Sequence, residues 1–347
     1  MDVDERLELI TRNALEVVTV DELKALLETK AKPSAYIGYE PSGFVHVGQM
    51  ITAAKVVDLQ RAGVEVTVFL ADWHAMINDK LGGNIDDIRA CGKYMRDCFL
   101  ALGVDESAKF VFASDLIDGA DYWERFIRIC KASSLTRLKR AMTIMGRTED
   151  EMDLDASKIM YPPMQVADIF HLDVDIAYSG LDQRRAHMLA RDVSEKLGWK
   201  KPIALHTSLL MSLDGGARMD PVESKMSKSS PDAAVFMHDS PEDVKRKLKD
   251  AFCPPEAEGN PVLDTMRLLV FPQLGSVEID RPAKYGGSVK YGSFEELKEA
   301  YESKSLHPMD LKNGAAESVN RMLDPVRKYF SSHPENLEKV KALTITR

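Results

Sequence analysis

A strand, a glycine-containing turn, a helix and a second strand occur in that order twice, and this repetition is the feature that most restricts the fold. The first set is predicted at 35–38, 46–62 and 64–71. The second set is predicted at 174–178, 182–197 and 203–206. Strand 64–71 is too continuously apolar for an exposed edge, and parallel strands need a crossover connection, which is usually a helix. The sequence therefore predicts an α/β fold, with a parallel sheet covered by helices.

Helical patterns fill the rest of the chain and divide it into two predicted domains. Residues 115–160 are helical and rich in Arg and Lys, which predicts a helical insertion beside the sheet. Strand signals end after Pro231, and helical stretches follow at 241–251, 294–303 and 310–330. A chain of 347 residues, 44% of them hydrophobic, is long enough for about two domains. We therefore predict a sheet domain at 1–234 and a mainly α-helical C-terminal domain at 235–347.

Charge and cysteine content narrow the possible functions. Lys and Arg number 46 against 55 Asp and Glu, and the net charge of -9 argues against indiscriminate coating of nucleic acid while permitting a local basic patch. The four cysteines form no CxxC pair and no cluster with His, so we predict reduced thiols and no resident metal site. No segment has the roughly 18 apolar residues of a membrane span, and no signal-sequence pattern opens the chain. We expect a cytoplasmic protein that does not bind membranes.

Two short motifs carry the chemistry. The segment 46–49 reads HVGQ and lies where the first predicted strand gives way to a helix, whose free N–H groups attract phosphate. The segment 225–229 reads KMSKS and lies in a polar loop after the last predicted strand, where its two lysines suit phosphate oxygens. This pentapeptide is expected by chance in about one chain of this length in ten thousand. Together the motifs predict a nucleotide site.

An HxG motif after the first strand and KMSKS after the last resemble the class I aminoacyl-tRNA synthetases, in which both motifs bind ATP over a Rossmann-like sheet. Further segments resemble the tyrosyl-tRNA synthetases of the archaeal and eukaryotic type, namely SAYIGYEPSG at 34–43, YPPMQVAD at 161–168 and GLDQRR at 180–185. The resemblance continues through RPAKYGG at 281–287 and LHPMDLKN at 306–313. It implies a Rossmann-like catalytic domain, an anticodon-binding helical domain and a homodimer.

The segment YPPMQVAD also has a physical interpretation. A Pro-Pro pair favours the first turn of a helix, and Tyr161, Gln165 and Asp168 are then spaced i, i+4 and i+7 on one face. Apolar residues on the other faces predict that this polar stripe is enclosed. The family resemblance implies an L-tyrosine pocket that is formed by Tyr36, Gly38, Tyr161, Gln165, Asp168 and Gln183.

Within this implied pocket, Tyr36 and Asp168 hold the phenolic hydroxyl, and Tyr161, Gln165 and Gln183 surround the α-amino group. A buried carboxylate that accepts from a substrate hydroxyl is left unpaired when phenylalanine enters, and tyrosyl-tRNA synthetases are themselves the standard example of this discrimination. Taken alone, Tyr36 also fits a strand core, and Gln183 also fits a helix surface.

The resemblance implies a two-step acyl transfer. The tyrosine carboxylate attacks the α-phosphate of ATP, with Mg²⁺ on the phosphates, and the tyrosyl group then passes to the 3′-terminal adenosine of tRNA(Tyr). No protein nucleophile is needed, because such an enzyme positions the groups and stabilises charge. The implied catalytic residues are His46, Gln49, Lys225 and Lys228. The implied ATP-binding residues are Glu40, His46, Gly48, Lys225, Met226, Ser227, Lys228 and Ser229.

Contacts with the tRNA are expected in both predicted domains. Arg184 follows an active-site strand and is expected at the acceptor end, where basic residues of the insertion and its surroundings could join it. These basic residues, each of which also fits a solvated helix, are Lys131, Arg137, Lys139, Arg140, Arg147 and Arg185. In the second domain, Tyr285 and Asp310 match positions that the family uses for the first anticodon base. A packed aromatic residue and a helix N-cap are the alternatives for these two.

Two positions depart from the family pattern, and two more have no assigned role. Gln49 stands in place of a second motif histidine, and Ser179 stands in place of a glycine, so we expect Gly180 alone to keep that turn. Asp72 and His74 follow a predicted strand, where ligands usually bind. For both, a pocket-lining role and a purely structural role stay open.

Three other functions are compatible with parts of the sequence. A tryptophan–tRNA ligase is the nearest, because Asp168 could accept from an indole N–H as well as from a phenol. A catalytically silent tRNA-binding paralogue would be free to lose both motifs, which are intact here. A nucleotidyltransferase that activates a small acid without tRNA would leave the anticodon-like helical half unexplained.

Overall fold

The computed structural model describes residues 1–146, 155–215, 225–227 and 230–343, so Arg147, Lys228 and Ser229 lie outside the described residues. By its internal contacts the chain divides into two compact units. The first unit comprises 1–43, 55–208 and 335–347. The second unit comprises 44–54 and 209–334. The predicted boundary between residues 234 and 235, which rests on where the strand signals end, stays a prediction.

The first unit is built on a six-stranded sheet. Its strands are β1 (Glu16–Val18), β2 (Ser34–Tyr39), β3 (Glu65–Leu70), β4 (Lys109–Phe112), β5 (Ile176–Gly180) and β6 (Ile203–Thr207). In space they follow the order β1-β6-β5-β2-β3-β4, and every neighbouring pair is parallel except β1 with β6. The predicted parallel sheet is confirmed in β2, β3, β5 and β6, whereas β1 and β4 are additional short strands.

The order of the strands places a crevice beside β2. From β2 the chain builds outward through β3 and β4, whereas β5 lies on the other side of β2 and leads to β6. Ligands of open parallel sheets bind at such a switch point, beyond the carboxyl ends of the strands. Tyr36 pairs in register with Thr67 of β3 and with Ala177 of β5. The central strand therefore carries Tyr36, and Glu40 follows directly after that strand.

Helices make up most of the remaining described chain. They are α1 (Val3–Thr11), α2 (Val20–Thr29), α3 (Gly48–Arg61), α4 (Asp72–Ile77), α5 (Ile85–Ala101), α6 (Ala113–Leu116), α7 (Ala120–Ala132), α8 (Leu135–Ala141), α9 (Tyr161–His171), α10 (Arg184–Leu197), α11 (Pro241–Asp250), α12 (Pro261–Thr265), α13 (Phe271–Leu274), α14 (Phe294–Glu302), α15 (Pro308–Ser332) and α16 (Glu335–Lys341). Helices α11 to α15 belong to the second unit, and α16 belongs to the first. No helix in the described ranges is long and apolar enough to cross a membrane.

The core of the first unit joins α9 and α10 to the sheet. Phe69 of β3, Ala167 and Ile169 of α9, Ala177 of β5 and Leu189 of α10 belong to one buried apolar cluster. Removal of this apolar surface from water is the dominant favourable contribution to folding. The apolar faces of α9 thus pack against the sheet and against α10, as the sequence pattern predicts.

The second unit contains a two-stranded antiparallel hairpin and the helices α11 to α15. The hairpin consists of β7 (Val277–Ile279) and β8 (Val289–Tyr291). The predicted helical stretches correspond to α11, α14 and α15. Gly314 of α15 lies so close to β7 that a Cβ atom there would stand 2.7 Å from Cγ1 of Ile279. Glycine is therefore needed where this helix crosses the hairpin.

Candidate active site

Helix α9 carries the predicted polar stripe. Pro162 and Pro163 lie in its first turn, where a missing N–H breaks no intrahelical hydrogen bond. Tyr161 is 5% exposed and Asp168 is 1% exposed, and Gln165 between them is half-buried. The stripe is enclosed within the first unit, as predicted.

The Asp168 carboxylate is the centre of a buried polar cluster. The hydroxyl of Tyr122 donates to its Oδ1 at 2.8 Å, and Nε2 of His74 lies 3.1 Å from its Oδ2. Burial raises the pKa of the Tyr36 hydroxyl, and the nearby charge of Asp168 raises it further. Because a buried charge is stable only when polar partners surround it, this cluster is suited to a ligand that brings a hydroxyl group.

Two members of this cluster come from outside the predicted set. Tyr122 belongs to α7, and no local motif distinguishes it from the other aromatic residues of that helix. Burial raises the pKa of its hydroxyl, with a further contribution from the charge of Asp168. His74, whose role the sequence leaves open, follows β3 at the carboxyl edge of the sheet. This position after a strand is the one sequence signal that indicates His74 as a site residue.

Amide groups form the next part of the site. Nε2 of Gln165 donates to Oε1 of Gln183 at 3.3 Å, and Nε2 of Gln183 donates to the carbonyl of Ile144 at 3.0 Å. The structure therefore brings Gln165 and Gln183 together, as predicted. Oε1 of Gln165 is buried and has no hydrogen-bond partner among the described residues. A buried oxygen in this state calls for an explanation, and an ammonium group of a ligand would supply the missing donor.

Glu40, predicted for ATP, adjoins the other end of the stripe. Its two carboxylate oxygens accept from Nδ2 of Asn78 at 3.0 and 3.1 Å, and Nζ of Lys80 lies 3.8 Å away. Burial and the charge of Glu40 raise the pKa of the Tyr161 hydroxyl. At Gly38, an added Cβ would already touch the Tyr36 ring at 3.5 Å. A larger side chain at that position would therefore crowd Tyr36.

Asp72 has a structural role, which answers one question that the sequence leaves open. Its buried carboxylate accepts from the backbone N–H of Ser114 at 3.0 Å and from the Ser114 hydroxyl at 2.6 Å. Nε of Arg89 donates to the same carboxylate at 3.1 Å. These contacts tie the start of α4 to α5 and α6 and hold the α4 residues, including His74, in place.

The HVGQ motif is held by its own side chains in the second unit. The N–H of His46 donates to Oε1 of Gln49 at 3.1 Å, and the N–H of Gly48 donates to Nδ1 of His46 at 3.2 Å. A Cβ atom at position 48 would stand 2.9 Å from the His46 ring, so glycine leaves room for the imidazole. Gln49 thus supplies an acceptor for the N–H of His46, just before α3, although it cannot carry the charge of a histidine.

The KMSKS motif is described in part. Lys225 forms an isolated β-bridge with Met211, and the N–H of the buried Met226 donates to the carbonyl of Leu210 at 2.7 Å. An added Cβ on Gly48 would stand 3.6 Å from Cβ of Leu210. Both motifs therefore adjoin the segment around Leu210, and the structure brings them together across a long sequence separation. The predictions for Lys228 and Ser229 lie outside the described residues.

Arg184 is half-exposed and held by Glu16 of β1. Its Nε and one terminal nitrogen donate to the two carboxylate oxygens at 2.7 and 2.8 Å. Nδ1 of His206 lies 3.0 Å from the same carboxylate. This bidentate ion pair directs the guanidinium along the edge of the sheet. Arg185 instead donates to Thr143 at 2.6 Å.

Two further expectations concern Asp310 and Gly180. The N-cap of α15 is His307, whose Nδ1 accepts from the N–H of Met309 at 3.1 Å, so the N-cap alternative for Asp310 is wrong. Asp310 lies in the first turn, and Tyr285 ends a short 3₁₀ turn. Gly180 has φ -67° and ψ 160°, which any residue adopts, so the expectation that this glycine alone keeps the turn is also wrong. The described residues contain no group of three His, Cys, Asp or Glu that could hold a metal ion.

Comparison with known proteins identifies the family of the chain. The family model of class I tRNA synthetases (W and Y) matches residues 28–324. The chain is 48% identical to the tyrosine–tRNA ligase of Sulfolobus acidocaldarius over 100% of both chains. Among solved structures, it is similar to the tyrosyl-tRNA synthetase of Aeropyrum pernix, with a TM-score of 0.89, 46% identity and 99% of each chain covered.

A second structure, of the enzyme from Pyrococcus horikoshii complexed with L-tyrosine, has a TM-score of 0.93 and 42% identity, and the match covers 99% of this chain and 100% of that one. The Sulfolobus acidocaldarius relative and these two structures match over nearly their whole length. These matches support the tyrosine–tRNA ligase family over the tryptophan alternative. The chain belongs to the class I aminoacyl-tRNA synthetases and, within them, to the family of the tyrosine–tRNA ligases.

Proposed function

We propose that this chain activates L-tyrosine with ATP and transfers the tyrosyl group to tRNA(Tyr), with Asp168 as the residue that recognises the phenol. The observation that carries this proposal is the buried cluster of Asp168, Tyr122, His74 and Tyr36 at the carboxyl edge of a parallel sheet. A hydroxyl group satisfies the carboxylate in this cluster, and a benzyl group leaves it without that partner. Tyrosine therefore binds in preference to phenylalanine.

The two ends of the α9 stripe have different proposed roles. Asp168 and Tyr36 hold the phenolic hydroxyl at one end. At the other end the unpartnered Oε1 of Gln165, together with Tyr161 and Gln183, receives the α-ammonium group. Fixing both ends of the amino acid leaves its carboxylate in one position, which converts activation into a reaction of pre-oriented groups.

In the first step, a carboxylate oxygen of tyrosine forms a bond to the α-phosphorus of ATP, and pyrophosphate leaves. We assign the His46 imidazole, whose Nδ1 accepts from the N–H of Gly48, to a phosphate oxygen. Gly48 and Gln49 keep that backbone turn open to the nucleotide. Lys225 and Lys228 neutralise the charge that develops on pyrophosphate. Glu40, Met226, Ser227 and Ser229 complete the proposed ATP site.

In the second step, a ribose hydroxyl of the terminal adenosine attacks the tyrosyl carbonyl, and AMP leaves. We assign Arg184 to the acceptor end and Tyr285 and Asp310 to the anticodon. Mg²⁺ enters as part of the substrate, on the phosphate oxygens of ATP, in keeping with its preference for oxygen ligands. A homodimer and a cytoplasmic location stay predictions that rest on the family resemblance.

Amino-acid-dependent exchange of labelled pyrophosphate into ATP tests the proposed activation. We expect exchange with tyrosine and none above background with the other standard amino acids, because the Asp168 cluster requires a hydroxyl at the end of an aromatic ring. Exchange with tryptophan would move the assignment to the sister enzyme. No exchange with any amino acid would contradict activation and leave RNA binding as the function of the chain.

Arg184 is tested separately, through the transfer step. In the Arg184→Ala variant we expect kcat/KM for tRNA(Tyr) to fall by about tenfold, as for loss of one nucleic-acid contact, while pyrophosphate exchange stays unchanged. Arg128→Ala is the matched control, since Arg128 is also exposed and also paired with a glutamate, Glu124 on α7. A loss of exchange and transfer in equal proportion would assign Arg184 to the structure of the sheet edge rather than to tRNA.

A further inference from the structure

His74 is buried against both ends of the α9 stripe. Its ring stands perpendicular to that of Tyr161, at 5.0 Å between centroids, and its Nε2 lies 3.1 Å from Oδ2 of Asp168. Phe69 closes a third side at 6.2 Å. With 1% of its surface exposed, His74 contacts the proposed amino end and the proposed hydroxyl end of the substrate site at once.

Neither ring nitrogen of His74 makes a hydrogen bond within the described residues. Nε2 nevertheless lies 3.1 Å from Oδ2 of Asp168, within the distance of an ion pair. Buried polar atoms without a partner are rare and call for an explanation. Hydrogen bonds in substrate sites are often poorly aligned before the substrate binds and tighten afterwards. The imidazole of His74 is therefore suited to a hydrogen bond that forms when the substrate binds, which a histidine that only packs in a core would not need.

The surroundings hold this imidazole rigidly. Asp72 ties the beginning of α4 to Ser114 and Arg89, as described above. At the other end of the helix, Nδ2 of Asn78 donates to the Glu40 carboxylate and to the carbonyl of Met145, both at 3.0 Å. Both ends of a six-residue helix are therefore anchored, and the side chain between them has little freedom to move.

We propose that His74 is a specificity-determining positioning residue, which holds Oδ2 of Asp168 so that the carboxylate is directed towards the phenolic hydroxyl of the substrate. This inference rests on the proposed function. Tyr122 donates a hydrogen bond to Oδ1, and His74 lies against Oδ2, so the two residues contact both oxygens of the carboxylate. The remaining lone pairs of the Asp168 carboxylate then have a defined direction. The carboxylate accepts from a hydroxyl only at the position where the substrate ring places it.

The charge of His74 follows from the groups that face it. Burial lowers its pKa, but the charge and contact of Asp168 raise it, with further contributions from Glu40 and Asp72, and the net direction is upward. The hydroxyls of Tyr161, Tyr36 and Tyr122 stay protonated, because burial raises the pKa of each. His74 therefore keeps its proton above the ordinary histidine value of about 6.5. As pH rises through its pKa, the contact with Asp168 weakens.

Two variants separate this role from packing. His74→Phe keeps an aromatic ring without any nitrogen, and His74→Gln keeps an N–H donor without the ring or a titratable proton. We expect His74→Phe to lower the tyrosine-to-phenylalanine ratio of kcat/KM in pyrophosphate exchange by about tenfold, as for loss of a hydrogen bond to a charged group. His74→Gln should lose less of that ratio, and its KM for tyrosine should no longer vary with pH near the histidine range. His333→Gln, at an exposed position, is the control.

The inference is wrong if His74→Phe keeps both the tyrosine-to-phenylalanine ratio and the pH profile of the unsubstituted protein while His74→Gln is less stable. That result is expected if the ring serves only to pack the core. Should neither variant fold, the unsubstituted protein still decides. Its affinity for tyrosine should fall as pH rises through the histidine range, whereas the inhibition constant of phenylalanine should not change, because phenylalanine lacks the hydroxyl. Equal pH profiles for both amino acids would overturn the proposal. Absence of tyrosine exchange in the unsubstituted protein would instead contradict the proposed function itself.

Discussion

Replacing Asp168 with asparagine is expected to lower kcat/KM for tyrosine in pyrophosphate exchange by about 100-fold, since hydrogen bonds to a charged group contribute roughly 1.5–3 kcal/mol each. The amide oxygen of the introduced side chain would have to serve Tyr122 and the phenol together, and its amide nitrogen would face His74. Activity with phenylalanine should change far less, because phenylalanine never used the carboxylate. Discrimination between the two amino acids should therefore collapse, as steady-state exchange kinetics with both would reveal.

Asp97→Asn is the matched control for this experiment. Asp97 is also a buried carboxylate of the first unit, but it accepts from Asn336 of α16 at 2.8 Å and lies outside the stripe. Its substitution should leave the ratio between tyrosine and phenylalanine unchanged. If the Asp168 and Asp97 variants lost the same proportion of activity with both amino acids, recognition of the phenol would not depend on Asp168.

Replacing Lys55 with methionine is expected to lower the free energy of unfolding by about 3 kcal/mol, the range for removal of one partner from a buried ion pair. Nζ of Lys55 donates to the carbonyls of Leu9 and Ile10 at 3.3 and 3.0 Å and also to that of Arg12. It therefore caps the carboxyl end of α1, where a cation is favoured. Burial lowers the pKa of Lys55 to about 8, while Asp58 acts to raise it, so the ammonium is charged at neutral pH.

Thermal unfolding at pH 7 would measure this effect, and we expect the Tm to fall by roughly 6–12 °C. Methionine keeps most of the apolar stem, so the loss isolates the three carbonyls and Asp58. Lys24→Met is the control: the side chains of Lys24 and Asp4 are 47% and 80% exposed, and such surface pairs contribute little to stability. Equal Tm values for the two variants would show that the carbonyls find water or other donors when Lys55 is absent.

Local patterns predicted the central strands of the sheet, because β2, β3, β5 and β6 each contain at least three consecutive buried residues and so are buried on both faces. The strands β1 and β4 have only three and four residues and are mostly half-buried, so their own sequence carries too little pattern. Glu16–Val18 becomes a strand because it pairs antiparallel with β6. The two strands lie far apart in the sequence. That pairing is a tertiary interaction, which no local period reports.

The candidate site divides in the same way. The sequence by itself determined the α9 stripe, because a Pro-Pro pair starts the helix and the spacing of Tyr161, Gln165 and Asp168 places them on one face. The nucleotide motifs were equally local, since backbone and lysine chemistry explain them within a few residues. Only the tertiary structure decided which groups hold Asp168: Tyr122 comes from α7 and His74 from α4. A side chain that acts through space leaves no period in its own segment, and burial against a distant carboxylate gives it a role only after the chain has folded.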